Sequence, residues 1–220
     1  MRVSEHVLNI DKNRYPAVKI PTTHTELEAV LIDLLIEGVP ARPFVCEGSP
    51  FNCDVVIMGI NPGSKTPFWD YWSTEGGFDR AGWVAKFDDD VANLRKTTRP
   101  RIERLVRALT PRRVVELNAY PYVTANEREL APLLRDSQIF RLMLQVARPK
   151  LVFVFGKSPA AEICKLAAIP RVKQGVFTPC RYANCSFTLL YESHLSRGWS
   201  FIRVDELAEK ILVHLSHAAV

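Results

Sequence analysis

The sequence predicts an α/β protein, a three-layer α-β-α arrangement around a mainly parallel four-stranded sheet. Three observations carry this. The runs Val55-Val56-Ile57-Met58 and Leu151-Val152-Phe153-Val154-Phe155 are apolar without alternation, as strands covered on both faces are. Stretches with helical periodicity separate such runs, which is the pattern of βαβ units. Polar residues, Asn61, Asn118 and His194, stand just past three of the strands, at the edge where open α/β sheets bind ligands.

Taken in order, the lead-in to residue 21 has no clear period and lacks the apolar core of a signal peptide. A helix is expected from Thr25, with Glu28 completing a capping box. Leu27, Val30, Leu31, Leu34 and Leu35 form its apolar stripe, and Gly38 and Pro40 end it. The first strand breaks sharply at Gly59-Ile60-Asn61-Pro62-Gly63 and leads into a dense aromatic loop with Phe68, Trp69, Tyr71 and Trp72. Asp88-Asp89-Asp90 read as a helix start, where carboxylates favour the positive end, in preference to a metal site.

From Arg95 to Arg113 basic residues face a single acid, Glu103, while Ile102, Leu105, Val106 and Leu109 keep an apolar stripe. Such a face is either simply solvated or tracks phosphates. A second strand, Val114-Val115-Glu116-Leu117-Asn118, runs into the turn Ala119-Tyr120-Pro121-Tyr122. Residues 126–147 have helical character, divided near Asp136-Ser137 and closed by Pro149. The third strand ends at Gly156, and a helix over 157–167 follows. A fourth strand, Phe187-Thr188-Leu189-Leu190-Tyr191, leads to Ser193-His194-Leu195-Ser196-Arg197-Gly198-Trp199, and a final helix covers 203–217.

At 220 residues, with no linker composition, the chain reads as a single domain over residues 1–220, and 47% hydrophobic residues suffice for a core. No apolar run approaches the ~20 residues of a membrane span. The five cysteines include no CxxC pair, so they read as reduced structural thiols, with Cys180 and Cys185 the one pair of interest. The protein is expected to be a cytoplasmic or nuclear monomer. A net charge of +5 is compatible with a nucleic-acid partner without requiring one.

Four motifs in this order resemble the uracil-DNA glycosylase superfamily, closest to its mismatch-specific and single-strand-selective branches: GINPG, LNAYP, LVFVFGKSPA and SHLS. The likeness covers about Val55 to Trp199. It implies a monofunctional enzyme that hydrolyses the N-glycosidic bond of a mismatched or deaminated base flipped out of DNA, with no cofactor and no metal. Under it Asn61 orients the water and His194 stabilises the departing base. Asn118 reads the base edge, and Gly59, Ile60, Pro62 and Gly63 form the loop around it. Phe78 matches the family's stacking aromatic, with Phe68 and Trp72 as competitors.

Ser196, Arg197, Arg101 and Arg104 are the expected DNA contacts, and Arg197 or Trp199 would fill the gap that the base leaves. Leu195 stands where the family has Pro, which frees the backbone that presents His194. Gly63, where some relatives carry Tyr, implies a roomier pocket. Two other readings stand beside this one. The first is an inactive nucleic-acid-binding module of the same fold, and the second is a hydrolase of small nucleotides or nucleosides.

Overall fold

The computed structural model of the chain describes residues 19–90 and 98–217, without the side chains of 88–90. In chain order the elements are α1 (His24–Leu34), β1 (Val45–Cys46), β2 (Val55–Gly59), β3 (Trp72–Ser73), β4 (Gly77–Phe78), α2 (Arg80–Asp90) and α3 (Arg99–Ala108). There follow β5 (Val114–Asn118), α4 (Gln138–Ala147), β6 (Leu151–Phe155), α5 (Lys157–Leu166), β7 (Phe177–Tyr182), β8 (Cys185–Glu192) and α6 (Phe201–His217).

The main sheet has six strands, not four, in the order β1-β5-β2-β6-β8-β7. The four expected strands form its parallel centre, and β1 and β7 pair antiparallel at its two edges. Both additions escape pattern reading for physical reasons. β1 is two residues long, too short to display a period. β7 contains Pro179, which a sheet tolerates on an edge, and only Cys180 of its six residues is buried.

Successive residues of the central strands feed opposite cores. Val56, Met58, Val115, Leu117, Val152 and Val154 face one apolar cluster, which includes Leu27 and Leu31 of α1, Met143 of α4 and Ile163 of α5. Val55, Ile57, Val114, Leu151 and Phe153 face the other, which α3 and α6 supply with Ile102, Leu105, Val204, Leu207 and Ile211. Helices therefore cover both faces, which is why β2 and β6 are buried along their whole length.

Local expectations move in several places. The cap of α1 is Thr23, whose hydroxyl accepts from the Glu26 N–H at 3.2 Å, two residues before the expected start. Glu28 instead accepts from the Trp72 indole at 2.8 Å, and the helix ends at Leu34, ahead of Gly38. The three aspartates close α2 and do not begin a helix. Residues 126–137 hold two short 3-10 turns, and only the second half of the expected stretch is α-helix. All five cysteines are free and buried. Burial pushes the thiols of Cys53 and Cys180 up to about 11, so they stay protonated and inert at neutral pH. Among the described residues no helix is long and apolar enough to cross a membrane.

Candidate active site

Parallel strands in register bring their ends together. Ile57 lies opposite Glu116 and Gly59 opposite Asn118. The pairing continues past the strands, with the Ala119 N–H on the Gly59 carbonyl at 3.0 Å and the Tyr120 N–H on the Ile60 carbonyl at 2.9 Å. At this rim lies a cavity of about 460 Å³ lined by Gly59, Ile60, Asn61, Gly63, Asn118 and His194, among others. The three polar residues that follow separate strands in sequence thus share one concave surface. Gly59 is what allows the approach, because a Cβ there would sit 2.9 Å from Asn118 Oδ1 and 3.1 Å from the Phe155 ring.

Asn61 is held by a residue that the sequence did not single out. Its Nδ2 donates to Thr124 Oγ1 at 2.8 Å and to the Thr124 carbonyl at 3.1 Å. The Thr124 hydroxyl spends its own proton on the Asn126 carbonyl at 2.9 Å, so toward Asn61 it acts as acceptor. This sets the amide: its nitrogen is tied to the 124 loop, and Oδ1 is left to accept a hydrogen bond. Thr124 follows Asn118 by six residues, and nothing in its local pattern distinguishes it from an ordinary loop threonine. The Asn118 side chain has no hydrogen-bond partner among the described residues and lines the cavity with both of its polar atoms available.

His194 is presented by a loop pinned from below. Leu195, the residue in place of the expected Pro, is fully buried in the α3–α6 core together with Trp199. Packing thus supplies the restriction that a proline ring would have supplied, and a turn from the Arg197 N–H to the His194 carbonyl at 2.9 Å closes it. The Ser196 N–H, which can only donate, points at His194 Nδ1 at 3.2 Å, and the Ser196 hydroxyl lies 2.7 Å from the same atom. Nδ1 is therefore an acceptor, and the neutral ring carries its proton on Nε2. Although the side chain keeps exposed surface, its ring meets the edge of Phe155 at 5.4 Å, and partial burial, then the Arg197 charge, lower its pKa. Gly156, at φ +106°, gives the ring room: a Cβ there would lie 3.4 Å from His194 Cδ2.

The expected stacking residues are placed elsewhere. Phe68 and Phe78 are each 1% exposed, and Trp72 is 8%. They form an aromatic cluster around Phe44, with ring centroids 4.9 Å (Phe44–Phe68) and 5.2 Å (Phe68–Phe78) apart. Burying this much aromatic surface is the stronger drive, and none of the three lines the cavity. The rings that do line it are Phe155 and Phe87. Phe155 was legible only as the last residue of an apolar strand; its position before Gly156, at the strand's C-terminal end, was the available signal. Trp199 is buried, with its indole N–H on Ser193 Oγ at 3.0 Å, so it is not free to enter a base stack.

Pro62 is buried beside the cavity, and its carbonyl accepts the Thr124 N–H at 3.1 Å. A Cβ at Gly63 would meet no atom within 4 Å, so the site is open there. Arg197 is exposed next to His194. The basic run is largely tied to the protein itself. Arg101 Nε donates to the Trp199 carbonyl at 2.6 Å, and Arg104 grips Asp205 of α6 with both ends of its fork, one at 2.7 Å. Arg99 is buried, and Arg95 and Lys96 lie outside the described residues. Among the described residues no group of three or more His, Cys, Asp or Glu is placed to hold a metal ion. No protein-family model matches the chain, and no curated protein matches it.

Proposed function

We propose that the protein is a DNA glycosylase that hydrolyses the N-glycosidic bond of a base turned out of the helix. The observation that carries this reading is the shared cavity of Asn61, Asn118 and His194 at the ends of parallel strands. Each side chain is in the state the chemistry asks for. As the C–N bond breaks, negative charge grows on the base, and the Nε2–H of a neutral His194 donates to the base oxygen that takes up that charge. Asn61 Oδ1, with its amide nitrogen anchored on Thr124, accepts from a water and holds it toward the sugar carbon. That water's oxygen forms the new C–O bond and releases its proton to solvent, since an amide is too weak a base to keep it. Asn118, which offers a donor and an acceptor together, reads the base edge. Phe155 supplies an apolar surface beside it.

DNA in this reading approaches the cavity mouth, where Arg197 is exposed and Ser196 caps His194. The test is a set of oligonucleotides, each with one altered base (uracil, hypoxanthine, xanthine or mismatched thymine), single-stranded and paired. Base release is read as strand cleavage at the abasic site. Release from at least one, lost in His194→Ala, supports the reading. Strong DNA binding with no release from any of them would instead mark a binding module.

A further inference from the structure

The same cavity has an inner wall that the proposed hydrolysis leaves unused. It is lined by Arg42, Phe87, Thr98, Arg99 and Glu116. Arg99 and Glu116 belong to a set of four charged side chains completed by Arg80 and Glu103, which do not line the cavity. Arg80 reaches Glu103 at 2.6 Å and Glu116 at 2.8 Å, and Arg99 reaches Glu116 at 2.6 Å and Glu103 at 2.9 Å. Two arginines and two carboxylates balance.

Arg42 is the arginine left over. Its guanidinium lies over the same Trp83 ring as that of Arg99, at 5.1 Å and 5.4 Å from the centroid. Among the described residues it makes no hydrogen bond and no ion pair, whereas its backbone N–H is held by the Pro121 carbonyl at 2.8 Å. That bond fixes Arg42 to the segment just past Asn118. Burial and the neighbouring Arg99 charge lower its pKa to about 10, which leaves it charged at neutral pH. Among the described residues this group thus has one more guanidinium than carboxylate, and Arg42, whose charge Glu116 offsets in part, carries five N–H donors and no acceptor.

Such a fork, lying over an indole, matches a ligand edge with two acceptors side by side. Among the bases the O6 and N7 atoms of an oxopurine form that edge, while a pyrimidine has no such pair next to its Watson–Crick face. The cavity's 460 Å³ falls within the range of about 300–1,000 Å³ typical of small-molecule sites, a volume that can hold a two-ring base. We infer that Arg42 determines specificity by donating to the O6/N7 edge of an oxopurine held beside Asn118, so that the site prefers an oxopurine (hypoxanthine, xanthine or guanine) over a pyrimidine or adenine. This rests on the glycosylase reading for its placement in a repair reaction, though not for the binding itself.

The test titrates free hypoxanthine, xanthine, uracil, adenine and inorganic phosphate into the full-length protein by calorimetry, alongside base release from the matching oligonucleotides. Hypoxanthine and xanthine are expected to bind at least about tenfold more tightly than uracil or adenine, the discrimination a bidentate arginine provides. Arg42→Met, which keeps an apolar stem over Trp83, should erase that difference. Arg42→Lys, which keeps the charge without the fork, should lose most of it, and this variant carries the test if Arg42→Met does not fold. Equal or tighter uracil binding, or an unchanged preference in either variant, overturns the inference. Arg42-dependent phosphate binding without an oxopurine preference overturns it too, in favour of a small-nucleotide site. Release of uracil alone, indifferent to Arg42, sinks the inference and leaves the glycosylase reading intact. Oxopurine binding lost in Arg42→Met, with no base released from any oligonucleotide, does the reverse.

Discussion

The cavity has two walls built in opposite ways. The rim wall is neutral: two amides and an uncharged imidazole at the ends of strands, Asn61 and His194 with partners among nearby loop residues and Asn118 with none among the described residues. The inner wall is ionic, with Arg42, Arg99 and Glu116 on the cavity and Arg80 and Glu103 paired to them from outside its lining, gathered from the approach to β1, from α2, α3 and β5. The rim therefore loses little fold stability when one of its side chains is trimmed, and its substitutions should fall on rate. The ionic wall is part of the protein's interior, and its substitutions should fall first on folding.

The largest effect follows from the buried carboxylate. Burial alone would raise the Glu116 pKa, yet the Arg99 and Arg80 charges more than offset this and hold it at about 2. Glu116→Gln leaves two buried guanidinium groups short of a partner, and breaking such a pair typically costs about 3–5 kcal/mol. Urea denaturation should report a loss of that order, and a change within error of zero would mean that the ionic wall is not structural. The sign with pH follows from the same group. Its stabilisation is full above the ordinary glutamate range and is lost as pH falls toward about 2, so Glu116→Gln should come closer to wild type in acid.

Next in size is the rim. His194→Ala should lower the single-turnover rate of base release by on the order of a hundredfold or more, the usual consequence of losing a donor aimed at developing charge. DNA affinity should change little, since that donor acts mainly in the transition state. If affinity falls as much as rate, the neutral wall binds and does not catalyse. Thr124→Val sharpens the point, because it removes only the hydroxyl that orients Asn61. A lost hydrogen bond of this kind is worth about 1 kcal/mol, so roughly a fivefold slower release is expected, with unchanged melting. A rate equal to wild type would mean that Asn61 does not need its anchor.

The smallest effect concerns the outer helix. Arg104 is exposed and already engaged by Asp205, so Arg104→Ala should shift the salt dependence of DNA binding by at most about one phosphate contact. A much steeper change would move the DNA path from the cavity mouth onto α3.

The contrast between the walls also explains what could be read in advance. The parallel centre of the sheet was legible because β2 and β6 are long, apolar and bounded by glycine, and the rim residues were legible because each stands just past such a run. The edge strands were not, being too short or carrying Pro179. The aromatic loop was misjudged because density of rings does not tell a stacking surface from a core; Phe44, distant in sequence, decides for Phe68, Trp72 and Phe78. The ionic wall was invisible for a stronger reason. Its members lie up to 74 positions apart, from Arg42 to Glu116, and no local period links them. Arg99 reads from sequence as part of a basic face, solvated or phosphate-tracking, and is in fact buried against Glu116.

The most direct test of the central claim is single-turnover base release by the wild-type protein and by Asn61→Ala and His194→Ala on one oligonucleotide that the wild type processes, with DNA binding measured in parallel. The account predicts that both variants bind as wild type does and release the base on the order of a hundredfold more slowly. Wild-type rates in both variants would contradict it and assign the chemistry to other residues.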